Sequence, residues 1–188
     1  MTRPSRAEPG TAFAALLRGI NVGGKNKLSM RDLCALLGTL GHEEVVSYIQ
    51  SGNVVFRSAD PDPARVSKAL EGAIGEHLGA TVTVLLREHA ELAAVAGGNP
   101  FLEHGLAASR LHVLFLSDAP AGERVETLEP ERSPGDQFAV SGRTVYLSYP
   151  NGSGRSKLTL DYFERRLGLA GTMRNWNTLL KLVELTSA

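Results

Sequence analysis

The sequence predicts an α+β protein built from two ferredoxin-like halves, and three observations carry that prediction. Strand-like and helix-like segments run in the order βαββαβ and then repeat that order. A Ser-Gly pair recurs between the central strands of each run, at Ser51-Gly52 and Ser141-Gly142. Gly79 and Gly168 each stop the second helix of their run, where a left-handed residue is needed.

Taken in order, residues 12–17 form a short apolar run that reads as a buried strand. A helix starts after Ser29: Ser29 and Asp32 resemble a capping box, Met30, Leu33, Leu36, Leu37 and Leu40 form a stripe, and Gly41 ends it. Residues 45–50 and 53–57 follow as strands about a two-residue Ser51-Gly52 turn. The next helix has Asp62 as cap, Pro63 in its first turn, and Val66, Ala69, Leu70, Ala73 and Ile74 at helical spacing. Residues 81–86 close the first sheet, and a connecting helix covers residues 88–96.

The second run begins with a strand at residues 110–116 and a short helix at 121–128. Strands at 137–140 and 144–148 flank the Ser141-Gly142-Arg143 turn. A helix at 156–167 places Leu160, Phe163 and Leu167 on one face, and a last strand at 171–174 precedes a C-terminal helix. The division expected is a disordered tail (1–11), a first half (12–96), a connector (97–109) and a second half with its C-terminal helix (110–188).

Lys plus Arg total 20 and Asp plus Glu total 20, so the net charge is zero and no global field draws in nucleic acid or a membrane surface. Anion binding must therefore be local. The single cysteine, Cys34, excludes an internal disulfide and a multi-cysteine metal site, and fits a reducing, cytoplasmic compartment. The first residues lack the apolar run of a signal peptide, and no stretch approaches membrane-spanning length. His42, His77, His89, His104 and His112 are scattered without ligand spacing, so neither a metal site nor a cofactor is expected.

Two loops carry the functional signal. Arg18-Gly-Ile-Asn-Val-Gly-Gly-Lys-Asn-Lys27 and Asn151-Gly-Ser-Gly-Arg-Ser-Lys157 combine glycines, amides and cations without a carboxylate, the make-up of phosphate-holding loops. The first lacks the spacing of a nucleotide phosphate loop and has no Ser or Thr after Lys25 to hold magnesium. It runs to about ten residues where ~2–6 is usual, and excess length in a compact domain points to function.

In a ferredoxin-like unit the first and second strands are parallel, as are the third and fourth. Arg18, Asn21, Gly23, Gly24, Lys25 and Asn26 should therefore meet Gln50, Ser51 and Asn53. In the second half Ser153, Arg155, Ser156 and Lys157, at a helix N-terminus, should meet Arg174, Asn175, Trp176 and Asn177. Cations there would neutralise phosphate and amides would orient it. Trp176 has two readings, a stacking surface for a base or the core anchor of the last helix, and Asn175 and Asn177 read equally as helix caps.

The segments Ala15-Leu-Leu-Arg-Gly-Ile-Asn-Val-Gly-Gly-Lys-Asn-Lys27, Tyr48-Ile-Gln-Ser-Gly-Asn-Val-Val-Phe56, Asn99-Pro-Phe101, Gly154-Arg-Ser-Lys-Leu158 and Arg174-Asn-Trp-Asn-Thr178 resemble the signature segments of a bacterial family, domain of unknown function 1697. That resemblance implies a two-part α+β fold and a bacterial cytosolic protein, with no established activity or cofactor. The expectation for function is a binding protein for a phosphorylated small molecule, a nucleotide or a nucleic-acid segment. The alternatives are a metal-assisted phosphotransfer or phosphoester-hydrolysing enzyme, which would have to recruit Asp136 or Asp161, and a protein-interaction or self-association module.

Overall fold

The computed structural model describes residues 10–21 and 26–187. It contains two four-stranded antiparallel sheets. The first half runs β1 (Thr11–Leu17), α1 (Met30–Thr39), β2 (Glu43–Tyr48), β3 (Asn53–Ser58), α2 (Pro63–Leu78), β4 (Val84–Glu88) and α3 (His89–Gly97). The second runs β5 (Leu111–Leu116), α4 (Gly122–Val125), β6 (Gln137–Ser141), β7 (Thr144–Ser148), α5 (Leu160–Leu167), β8 (Gly171–Asn175) and α6 (Trp176–Thr186). Strand orders are β2-β3-β1-β4 and β6-β7-β5-β8, so both halves are ferredoxin-like and share one topology.

The repeat is longer than the six-element unit. The helix expected as a connector, α3, follows β4 as α6 follows β8, so each half is βαββαβα. Thr11, expected in the tail, pairs with Ser58 in the first sheet, and residues 1–9 of that expected tail lie outside the described residues.

Local chemistry explains the boundaries. The Ser29 hydroxyl accepts the Asp32 N–H at 3.0 Å and starts α1. Asp62 accepts the Ala64 N–H at 2.9 Å with Pro63 beside it, and Gly79 ends α2 in the left-handed region at φ 64°. The first hairpin differs from expectation: Tyr48 pairs with Asn53, so its loop is four residues (49–52) with Ile49 at φ 52°. The second is a two-residue turn, Gly142-Arg143, with glycine at the first central position where φ is positive. The helix expected from residue 156 begins at Leu160, because Thr159 accepts the Tyr162 N–H and caps it, and residues 153–155 form a separate one-turn 3-10 helix.

Alternation along the strands produces three cores. Phe13, Ala15 and Leu17 join Leu33 and Leu37 of α1 and Val66, Leu70 and Ile74 of α2. Leu114, Leu116, Val145 and Leu147 join Phe163 and Leu167 of α5. The other faces of both sheets, through Ala14, Leu16, Val55, Val113, Phe115 and Tyr146, share a core with Leu92 of α3 and Trp176, Leu179 and Leu182 of α6. The two halves are thus fused by a continuous apolar interior.

Two buried arginines sit at matching places in that interior. Arg87 stands opposite Ala14 on β1, and Arg174 stands opposite Val113 on β5. Each donates to the carbonyl of its own preceding residue, Leu86 at 2.8 Å and Met173 at 2.9 Å. Each also crosses to the last carbonyl of the other half's first strand: Arg87 to Leu116 at 2.6 Å, and Arg174 to Leu17 at 2.9 Å. Reciprocal contacts of this kind are the signature of an internal approximate two-fold.

Candidate functional site: the loop at residues 151–157

The structure brings the first cluster together but closes much of it. Asn21 donates to the carbonyls of Gln50 at 2.9 Å and Leu28 at 2.8 Å, and its Oδ1 accepts the Leu28 N–H at 3.0 Å. Asn26 donates to the Gly19 carbonyl at 3.3 Å. Both asparagines have positive φ, so they serve as staples of the loop. Gly23, Gly24 and Lys25 lie outside the described residues.

Asn53 is fully buried and donates to the Tyr48 carbonyl and the Ser51 hydroxyl. Arg18 makes two hydrogen bonds to the Glu164 carboxylate on α5, at 2.7 and 2.6 Å, which hold its pKa above the usual value.

Arg174 does not join the second loop. Its side chain points into the interface between halves, where Nε meets Asn53 Oδ1 at 2.5 Å and Nη1 meets Thr172 Oγ1 at 2.6 Å. Nη2 completes the network at the Ser51 and Gly52 carbonyls. Burial lowers its pKa to about 10, still charged at neutral pH. The expectation of Arg174 as a phosphate contact is corrected here: its donors are spent on interior acceptors. Trp176 is likewise a core residue, 3% exposed, and Asn175 caps α6 by accepting the Asn177 N–H at 3.0 Å. Asn177 is exposed.

The second loop keeps its cations free. Ser133, absent from the expected set, organises it: its hydroxyl accepts the Lys157 N–H at 3.2 Å and donates to the Asp136 carboxylate at 2.7 Å. The signal that marks it is its spacing, a serine three residues before an aspartate. Ser156 accepts the Leu158 N–H at 3.0 Å, and the Tyr149 hydroxyl donates to the Leu158 carbonyl at 2.7 Å.

Gly152 adopts φ 88°, and a Cβ there would fall 2.7 Å from Nη1 of Arg110, so the guanidinium lies against its backbone. Asn175 donates to the neighbouring Ser109 carbonyl at 3.3 Å, so residues 109–110 link the loop to the end of β8.

An open cleft of about 510 Å³ runs along this loop between Ser133, Asp136, Asn151, Gly154, Arg155 and Ser156. Arg155, Lys157 and Ser153 are exposed, and among the described residues no ion pair engages Arg155 or Lys157. The N-terminus of α5, expected to back this loop, opens elsewhere, onto a smaller cleft lined by Arg132, Thr159, Tyr162, Arg165 and Arg166. Among the described residues no group of three or more His, Cys, Asp or Glu side chains is placed to hold a metal ion. No helix among them is long and apolar enough to cross a membrane.

The fold agrees with comparisons to known proteins. The conserved bacterial protein SP0830 from Streptococcus pneumoniae has a similar structure, with a TM-score of 0.74 and 27% sequence identity over 95% of this chain and 99% of that one. A search of curated proteins gives no match. The family model described as "Protein of unknown function (DUF1697)" matches residues 11–146, from the start of β1 into β7, and the chain belongs to that family.

Proposed function

We propose that the protein binds a phosphate-bearing ligand, a nucleotide or a nucleic-acid segment, at the loop of residues 151–157. One contrast carries the reading. Of the cations that the sequence nominates, Arg18 and Arg174 are consumed by Glu164 and by interior carbonyls, whereas Arg155 and Lys157 stand exposed and unpaired beside an open cleft. Asn151 on the cleft and the exposed Ser153 beside it add neutral donors. Arg110 extends the positive rim.

The test is calorimetric titration of the full chain with inorganic pyrophosphate, ATP and a short single-stranded RNA, repeated for Arg155→Ala and Lys157→Ala. Each variant should keep the parent's melting temperature, since exposed cations contribute little to folding. Each should weaken binding, and by more at low than at high salt. Full retention of binding in both variants would remove the loop as the site. A second reading, phosphoester chemistry, has one observation in its favour: Asp136 lines the same cleft and is oriented by Ser133. It predicts turnover of a bound phosphoester that Asp136→Asn abolishes without loss of binding.

A further inference from the structure

The matching arginines are not equally occupied. Arg174 distributes its donors over six acceptors, including Asn53 and the hairpin carbonyls of the other half. Arg87 is even more buried, 2% exposed, yet it meets only two, the carbonyls of Leu86 and Leu116. Its Nε–H finds no acceptor among the described residues. Register explains the shortfall: Leu16 pairs with Asn53 and Phe115 with Thr144, so Thr144 stands where Asn53 stands in the other half and makes no bond to Arg87.

Arg87 lines a cleft of about 320 Å³ between α2, β4 and the start of the β5–α4 loop. Across the approximate two-fold, the corresponding space is filled by Arg18. Arg18 and Ser117 are equivalent, because each follows its half's first strand and donates its N–H to the residue before the fourth, Thr83 at 2.9 Å or Ala170 at 2.8 Å. Arg18 reaches Glu164, which also holds the Gly171 N–H, and Glu71 holds the Val84 N–H in the same way. Ser117 is too short to reach Glu71, and the cleft stays open.

We propose that this cleft is a second binding site, taking the carboxylate of a small aliphatic acid on Arg87 and Arg143. Arg143 also lines the cleft and is already paired with Glu91, whereas among the described residues no carboxylate pairs with Arg87, and one unpaired guanidinium suits a monoanion. Glu71, the one carboxylate of the lining, disfavours a phosphate dianion, and Pro63, Ala64 and Leu85 offer apolar walls to an aliphatic body. A planar carboxylate matches the free edge of a guanidinium. Burial and the neighbouring Arg143 both lower the pKa of Arg87, to about 10, a penalty that a bound anion would relieve. The site is separate from the loop at residues 151–157, and neither proposal depends on the other.

The experiment is titration of the full chain with butyrate, and separately with inorganic phosphate, read by the guanidinium Nε–H resonance of Arg87 and by calorimetry. Butyrate should shift that resonance and bind the parent and the Arg155→Ala variant equally. Ser117→Arg, which supplies the guanidinium that Arg18 supplies in the other half, should fold and weaken butyrate binding by ~10-fold or more. If that variant fails to fold, Arg143→Ala gives the same reading by weakening binding. No butyrate-dependent shift, binding of phosphate in preference to butyrate, or undiminished affinity in a folded Ser117→Arg protein or, in its place, in Arg143→Ala would each overturn the proposal.

Discussion

The two halves share their skeleton and differ at the positions that cross between them. In the first, the segment after β1 is long, stapled by Asn21 and Asn26, and sends Arg18 into the second half. In the second, the corresponding segment after β5 is residues 117–121, with Ser117 in the place of Arg18. One side of the interface is therefore closed around Arg174, and the other is left open at Arg87. The two halves share a symmetric frame, and a longer segment with Arg18 in one half against a short one with Ser117 in the other makes one side structural and the other accessible.

The strongest break of this comparison is at the first residue of the helices that follow β4 and β8. Trp176 is buried in the shared core, whereas its counterpart His89 is half-buried and meets Thr186 at 3.1 Å. Trp176→Ala should cost about 3–5 kcal/mol in urea unfolding, through the cavity it leaves. His89→Ala should cost no more than about 1 kcal/mol, the scale of one hydrogen bond.

The hairpin glycines come next. Gly52 has φ 74° and a Cβ there would sit 2.9 Å from the Leu17 Cβ, so Gly52→Ala is penalised by both conformation and contact. Gly142 has φ 53° with nothing within 4 Å, so Gly142→Ala pays only the conformational cost, about 1 kcal/mol. Equal losses in the two variants would remove the close hairpin packing from the account.

The smallest effect is a pH dependence, set mainly by one histidine of the second half. His112 on β5 stands where Phe13 stands on β1, with its Nδ1 buried and unpartnered and its ring edge-on to Tyr149. Burial lowers its pKa below the ordinary imidazole value, so the unfolded chain binds the proton more readily. Stability from this group is complete above the unfolded pKa and is lost as pH falls from there toward the folded one. His42, lowered by burial more than Asp60 raises it, acts in the same direction. Melting temperatures between pH 7.5 and 5 should therefore fall, and His112→Phe should flatten part of that slope.

Periodicity and turn chemistry made most of the fold legible. The stripe from Met30 to Leu40, the Asp62-Pro63 start and the Gly79 and Gly168 stops are local signals, and local geometry obeys them. One boundary moved: the helix expected from residue 156 starts at Leu160, because the Thr159 hydroxyl meets the Tyr162 N–H and caps it there. The meeting of Asn21 with Gln50 followed from strand direction alone. The destination of Arg174 did not, since side-chain direction across an interface depends on how two sheets pack. Arg87 escaped notice for the same reason, although its place before a helix at the end of a fourth strand repeats that of Arg174.

The asymmetry of the two buried arginines is the central claim, and urea unfolding of Arg174→Met beside Arg87→Met at pH 7.5 tests it most directly. Loss of Arg174 leaves Asn53 and several carbonyls without their donor and should cost about 3–5 kcal/mol. Loss of Arg87, which satisfies two carbonyls and is itself under-satisfied, should cost no more than half of that. Equal costs, or a larger one at Arg87, would contradict a closed side and an open side in this duplicated fold.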